Sequence, residues 1–215
     1  MFKPLGKFPY LHPVDFHFIT DTRIQSRFSH LELGTLAFRA GIPFVQYRNK
    51  DFLPERDLEE LRKLAGVAKE TGRVLIVNDD ADLAAEVGAG GVHLGVGDGS
   101  PAAARARLGP AATIGATVHN FDELHALRDM PIDYIGVGPV FGTRSKDTGL
   151  PDLGLEGLRA ICEASPFPVV AIGSVDARNL ADVAAAGAKG AAILSAFCLA
   201  DDPGAYAAQL FEEFG

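Results

Sequence analysis

Residues able to do chemistry gather where short apolar runs give way to polar ones. The clearest case is Val45-Gln46-Tyr47-Arg48-Asn49-Lys50. Side chains alternate across a strand, so Gln46, Arg48 and Lys50 share one face, with Val45 and Tyr47 on the other. Two cations aimed at one small volume want an anion, because unpaired buried charge is costly. A solvated edge or an internal ion pair is the competing reading. A second stretch is Asn78-Asp79-Asp80, with Asp98 one repeat further on. Adjacent strand ends would set Asp79 and Asp98 side by side. Paired carboxylates near an arginine and a lysine suit a Mg²⁺–phosphate site, because hard Mg²⁺ takes a few carboxylates and phosphate oxygens. Asp80 is read instead as a helix cap, and His93 as a satisfied core histidine.

The elements that must hold these residues are βα repeats. β-like runs occupy 15–20, 43–48, 73–77, 90–94, 112–117, 133–138, 168–173 and 190–194. Helical patterns lie near 29–40, 54–71, 80–87, 100–108, 121–129, 154–164, 177–186 and 203–213. Pro54 suits a first helical turn and Asp176 an N-cap. Gly41, Gly72, Gly88 and Gly187 stand where left-handed caps are wanted. Alternating β and α implies a parallel sheet, and eight such units close a (β/α)₈ TIM barrel better than they make an open sheet. No linker divides the chain, so residues 1–215 are expected to form one domain, with a Pro-rich lead-in over 1–14.

A barrel of this kind carries its site at the C-terminal strand ends. Thr117 and His119 then share a face after the fifth strand. The long polar loop after the sixth brings Thr143, Ser145 and Lys146, and Gly136 with Gly138 leaves interior room for a ligand. Gly173 follows the seventh strand, and Leu194 with Ser195 the eighth, where such barrels cradle phosphate on backbone N–H groups. The residues thus predict two anion sites in one mouth, one cationic and metal-assisted, the other neutral. A diphosphate and a monophosphate substrate would fit, with transfer between them.

Composition bounds the rest. The chain has 20 basic against 28 acidic residues, a formal charge of −8, which argues against a nucleic-acid binder. The mouth is nonetheless expected to be a local cationic well built from Arg48, Lys50 and Lys146. Two cysteines, Cys162 and Cys198, are too few for a disulfide framework and read as buried small hydrophobes. The prolines of the lead-in break any apolar signal region, and no apolar run is long enough to span a bilayer. A cytoplasmic protein acting on small molecules, without nucleic acid or membrane and with a homodimer allowed, is the expectation.

Taken in order, HFITD, VQYRNK, VNDDADLAAEVGAGGVHLGVGD, IGATVHN, DYIGVGPVFGTRSKDTG, GLEGLRAI, PVVAIGS and GAAILSAF resemble the thiamine phosphate synthase family. The resemblance runs from about Phe16 to Phe197. It implies a TIM barrel that joins a hydroxymethylpyrimidine diphosphate to a thiazole phosphate, releasing diphosphate, by a dissociative step that needs no protein nucleophile. It further implies that Gln46, Arg48, Lys50 and Asn78 face the pyrimidine diphosphate, that Asp79 and Asp98 hold Mg²⁺, and that Thr117 lies near the pyrimidine. Arg48, Lys50 and Lys146 would be the catalytic cations, with Thr143 and Ser145 beside Lys146 in the strand-six loop. Gly173, Leu194 and Ser195 would cradle the thiazole phosphate. The chain departs from the family pattern at Gly142 (a proline there), at Ser145 (a threonine) and at Ser174. Ser174 replaces a second glycine, and its Cβ is expected to tighten the backbone approach to phosphate. The segment after His93, LGVGDGS, lacks one acidic neighbour of Asp98.

Two rival readings use the same barrel. A thiazole tautomerase would shift a proton with His119 and would not need the metal–diphosphate set. A non-catalytic phosphate-binding regulatory barrel would have no use for paired aspartates beside cations.

Overall fold

The computed structural model describes residues 15–142 and 151–215. The Pro-rich lead-in and Thr143, Ser145 and Lys146 lie outside the described residues. The first half of the chain runs β1 (Asp15–Thr20), α1 (His30–Arg39), β2 (Phe44–Tyr47), α2 (Pro54–Thr71), β3 (Val74–Asn78), α3 (Ala81–Val87), β4 (Gly91–Leu94) and α4 (Pro101–Leu108). The second half runs β5 (Thr113–Val118), α5 (Phe121–Leu127), β6 (Tyr134–Val137), α6 (Gly154–Ala164), β7 (Val169–Ala171), α7 (Leu180–Ala185), β8 (Gly190–Ile193), α8 (Ser195–Cys198) and α9 (Pro203–Phe214).

The strands pair in parallel in sequence order, and β1 closes the ring against β8, with Phe18 opposite Ile193. The expected (β/α)₈ TIM barrel is therefore what forms. Strand alternation splits the apolar residues into two layers. Phe16, Phe18, Val45, Tyr47, Leu75 and Val77 face outward and pack under the helices. Ile19, Ile76, Tyr134, Val170 and Ala192 face inward and fill the barrel axis.

Local chemistry sets the helix ends. Ser29 and Glu32 form a reciprocal capping box at α1, and Pro54 opens α2. Asp80 caps α3 by accepting from Leu83 N at 2.8 Å, as expected for it. Gly72 and Gly88 end α2 and α3 at φ 66° and 70°, a conformation that favours glycine. Helix α7 differs from expectation. Asp176 does not cap it, because its carboxylate accepts from Arg178 N at 2.9 Å while Asn179 Oδ1 accepts from Asp176 N. That local turn delays the helix to Leu180. Among the described residues, no helix is long and apolar enough to cross a membrane.

Candidate active site

Inward residues of β1, β2, β4, β5 and β6 build a polar floor. His17 stacks on Phe44 at 4.4 Å between ring centroids and lies 4.8 Å from Tyr134. The Gln46 amide donates to His17 Nδ1 and to the Tyr134 hydroxyl, each at 3.3 Å. Tyr134 continues to His93 Nδ1 at 2.9 Å, and His93 Nε2 to Thr117 Oγ1 at 3.0 Å. Burial, and then the neighbouring His93, pulls the His17 imidazole down to about 3, so it stays neutral. Burial raises the Tyr134 phenol. The floor is thus a continuous hydrogen-bond chain in which the His17 ring is neutral.

Missing β-carbons make room for it. A Cβ on Gly115 would sit 2.1 Å from the Tyr134 ring, and one on Gly136 would sit 2.9 Å from His93 Cε1. A Cβ on Gly138 would meet the Ile172 carbonyl oxygen at 2.2 Å. Gly136 and Gly138 themselves line the pocket, and their missing β-carbons also admit His93 and the Ile172 carbonyl. His93 is corrected. Its hydrogen bonds are met, as in a core, but the ring lines the pocket.

Above the floor, the β2–β4 side is charged. Gln46, Arg48, Lys50, Asn78 and Asp79 all line the pocket, as the alternation along β2 requires. Arg48 is ion-paired with Asp21, and Lys50 with Asp79. The carboxyls of Asp79 and Asp98 hydrogen-bond each other, and Asp98 also accepts from Gly95 N at 2.8 Å. Burial opposes ionisation of Asp79, but Lys50 and Asp98 outweigh it and hold this carboxyl below its ordinary value. Burial and the Asp79 charge push Asp98 the other way. The expected cationic well is not found among the described residues. Arg48 and Lys50 are met by Asp21, Asp79 and Asp98, so this rim is charge-compensated with a carboxylate in excess. Asn78 Oδ1 is buried there without a hydrogen-bond partner, an acceptor that only an added donor or cation would satisfy.

The β7–β8 side is neutral. Gly173, Ser174, Leu194 and Ser195 line it. Gly173 has φ 104°, and a Cβ there would stand 2.7 Å from Pro139 Cα. Ser174 takes a left-handed φ of 50°, donates from Oγ to the Gly142 carbonyl at 3.1 Å, and receives Asn179 Nδ2 on its own carbonyl. Its side chain is thus engaged with the loop after β6. Asp79, at φ 71°, and Ser174 are the non-glycine residues with left-handed backbones among those described. Both border the pocket, where such strain commonly collects.

Thr117 and His119 complete the wall between the two sides. Glu123 orients His119, accepting from its backbone N at 2.7 Å and from Nδ1 at 3.0 Å.

The structure therefore brings together Gln46, Arg48, Lys50, Asn78, Asp79, Thr117, His119, Gly173, Leu194 and Ser195, with Asp98 bonded to Asp79 from the rim. His17, Tyr134 and Asp21 were not singled out from the sequence. The inward alternation of HFITD and DYIGVG was the available signal for the first two. Asp21 had none, because its role depends on where the β1 turn lies relative to β2. Among the described residues, no group of three or more His, Cys, Asp or Glu side chains forms a closed metal cage.

Comparison with known proteins bears on this geometry. The family profile described as thiamine monophosphate synthase matches residues 16–197. The thiamine-phosphate synthase of Chloroflexus aurantiacus is 41% identical over 202 residues, covering 93% of each chain. That of Azorhizobium caulinodans is 40% identical over 193 residues, covering 89% of this chain and 91% of its own. The solved structure of thiamine phosphate pyrophosphorylase from Pyrococcus furiosus superposes with a TM-score of 0.81 at 31% identity, covering 93% of this chain and 96% of that one. Barrel, ordered motifs and relatives agree over most of the sequence, and the chain belongs to the thiamine monophosphate synthase family.

Proposed function

We propose that this barrel is a transferase that moves a hydroxymethylpyrimidine group from its diphosphate to a thiazole phosphate, forming thiamine phosphate. Its partners are these two small molecules. The observation that carries the reading is the division of the mouth. One side holds ion-paired cations and adjoining carboxylates; the other, among the described residues, holds only uncharged residues and backbone.

Magnesium fits the charged side. The Asp79 and Asp98 carboxyls lie side by side and shift each other's titration in opposite directions, an arrangement that favours a shared proton or cation. The excess carboxylate would repel a bare diphosphate. Asp79 and Asp98 are the residues that would hold the ion. Bound there with the diphosphate, it would supply charge stabilisation for the departing oxygens.

The chain's own residues do the remaining work. Arg48 and Lys50 hold the diphosphate by charge-assisted hydrogen bonds and stabilise it as it leaves. The C–O bond to the pyrimidine methylene breaks, and its electron pair departs with the diphosphate. The thiazole nitrogen then donates its lone pair to form the new C–N bond. Ile19, Val170, Ile172 and Leu194 wall the pocket with apolar surface and exclude water that would otherwise capture the cation. The polar floor of His17, Gln46, Tyr134 and His93 presents hydrogen-bonding groups to the ring. Gly173, Leu194 and Ser195 hold the thiazole phosphate by backbone and hydroxyl groups. Lys146, with Thr143 and Ser145 beside it, would by the family resemblance add a cation to the departing diphosphate.

His119, oriented by Glu123, also suits proton transfer on a thiazole. Isomerisation has no use for the charged rim, so coupling is the better reading. Both cysteines are free, and burial pushes their thiols up to about 11 and about 12, which suits a reducing cytoplasm.

The test mixes protein, Mg²⁺, the pyrimidine diphosphate and the thiazole phosphate. Thiamine phosphate and diphosphate should appear in equal amounts, and absence of both sinks the proposal. His119→Ala should leave coupling measurable. Loss of thiazole isomerisation by wild-type protein in that variant would instead favour the tautomerase.

A further inference from the structure

We propose that Asp21 is a positioning residue that fixes the guanidinium plane of Arg48 for the diphosphate. The inference rests on reading the charged side as a diphosphate site. Asp21 directly follows β1, stands outside the pocket lining, and is 2% exposed. One carboxylate oxygen accepts from Arg48 Nη1, and the other accepts from the backbone N–H of Arg23 at 2.8 Å. The carboxylate is therefore tied to its own turn and cannot follow the arginine outward.

That turn is itself braced. Thr20 and Thr22, the residues on either side of Asp21, bond opposite nitrogens of the buried His30 ring at 2.8 Å and 3.2 Å. Arg23 reaches across to Asp51 at 2.7 Å, joining the turn after β1 to the one after β2. The anchor is rigid on three sides, as a residue that orients another must be.

Arg48 has the complementary arrangement. Its side chain is 11% exposed and lines the pocket. A guanidinium carries several N–H donors in a planar fork, and Asp21 engages one of them. The others remain for phosphate oxygens, and a fixed plane lets them bind in pairs. A restraining role, in which diphosphate pulls Arg48 away from Asp21, would strand a carboxylate in the wall. Burial opposes that, so Asp21 stays paired while the ligand binds.

The probe is inorganic diphosphate with Mg²⁺, measured by titration calorimetry on the full chain. Asp21→Asn should weaken binding about tenfold, raise KM for the pyrimidine diphosphate by a similar factor and lower kcat, with KM for thiazole phosphate unchanged. In an Arg48→Met background the same substitution should have no further effect. Unchanged or tighter binding in Asp21→Asn overturns the proposal, as do additive losses in the double variant. A measurement on the wild-type chain does not depend on the variants folding. The Arg48 Nη resonances should be resolved and slow to rotate both before and after Mg²⁺–diphosphate is added. Rotational averaging in the free protein overturns the proposal. A wild-type chain that shows this coupling yet makes no thiamine phosphate would remove the synthase reading and leave the positioning role standing.

Discussion

The two sides of the mouth are built by opposite means. On β2–β4 each cation is answered by a carboxylate, Arg48 by Asp21 and Lys50 by Asp79, with Asp98 in excess, and the geometry is carried by side chains. On β7–β8 the described residues lining the pocket carry no charge, and the geometry is carried by the backbone at Gly173 and Ser174. A charged site is tuned by its partners and is vulnerable to loss of any one of them. A backbone site is insensitive to most side-chain changes but intolerant of an added Cβ. Each side should therefore fail in its own way.

The largest effect should come from the carboxylates. Asp79→Ala should lower the coupling rate by roughly 10²–10³, and Asp98→Ala should impair turnover and blunt the response to Mg²⁺. Rates against Mg²⁺ concentration check this, and an unchanged response would mean that the metal assignment is wrong. Arg48→Ala should raise KM for the pyrimidine diphosphate roughly ten- to a hundredfold and leave the thiazole phosphate nearly untouched. Gly173→Ala should do the reverse. Its Cβ would press on Pro139 Cα at a left-handed φ, and the affinity for thiazole phosphate should fall about tenfold while Mg²⁺–diphosphate binding holds. If both variants weakened both substrates equally, the division of the mouth would be wrong.

Acid should separate the sides as well. Asp57, at the start of α2, supports the charged side by accepting from Asn49 Nδ2 at 3.0 Å and Leu53 N at 2.9 Å. The Arg56 guanidinium, chiefly, holds its carboxyl below the ordinary 3.8, outweighing burial. A carboxyl depressed in the folded state stabilises the fold fully above its ordinary value and loses that contribution as pH falls below it. Melting temperature should therefore drop below about pH 4, and Asp57→Asn should flatten that limb. An identical acid limb in the variant would exclude Asp57 as its source. The smallest effect is expected at Ser174→Gly. Relief of the left-handed backbone and loss of the bond to Gly142 oppose each other, so the net change in stability should stay under about 1 kcal/mol.

Fold and pocket face were legible in the sequence for one physical reason. A period-two pattern such as Gln46-Arg48-Lys50 fixes which side chains face the axis once the barrel is assumed. Ion pairing was not legible in the same way. The pattern leaves Arg48 and Lys50 open between an anion site and an internal ion pair, because Asp21 comes from another strand end, and Lys50 meets an aspartate from the next. Gly136 and Gly138 line the pocket, as expected, but what else packs against them was not legible. A glycine announces that something comes close but not what, and here it was His93 and the Ile172 carbonyl. The cap at Asp176 failed because an asparagine three residues on offered its backbone a competing partner.

The left-handed backbone at Asp79 has a consequence for redesign. At that φ a search for stability alone would write glycine or asparagine, since either relaxes the chain. Such a sequence would fold at least as well and would have discarded the carboxylate on which the proposed metal site depends. Consensus or energy-based optimisation of this barrel should therefore hold position 79 fixed, because there the better-folding residue is the less useful one.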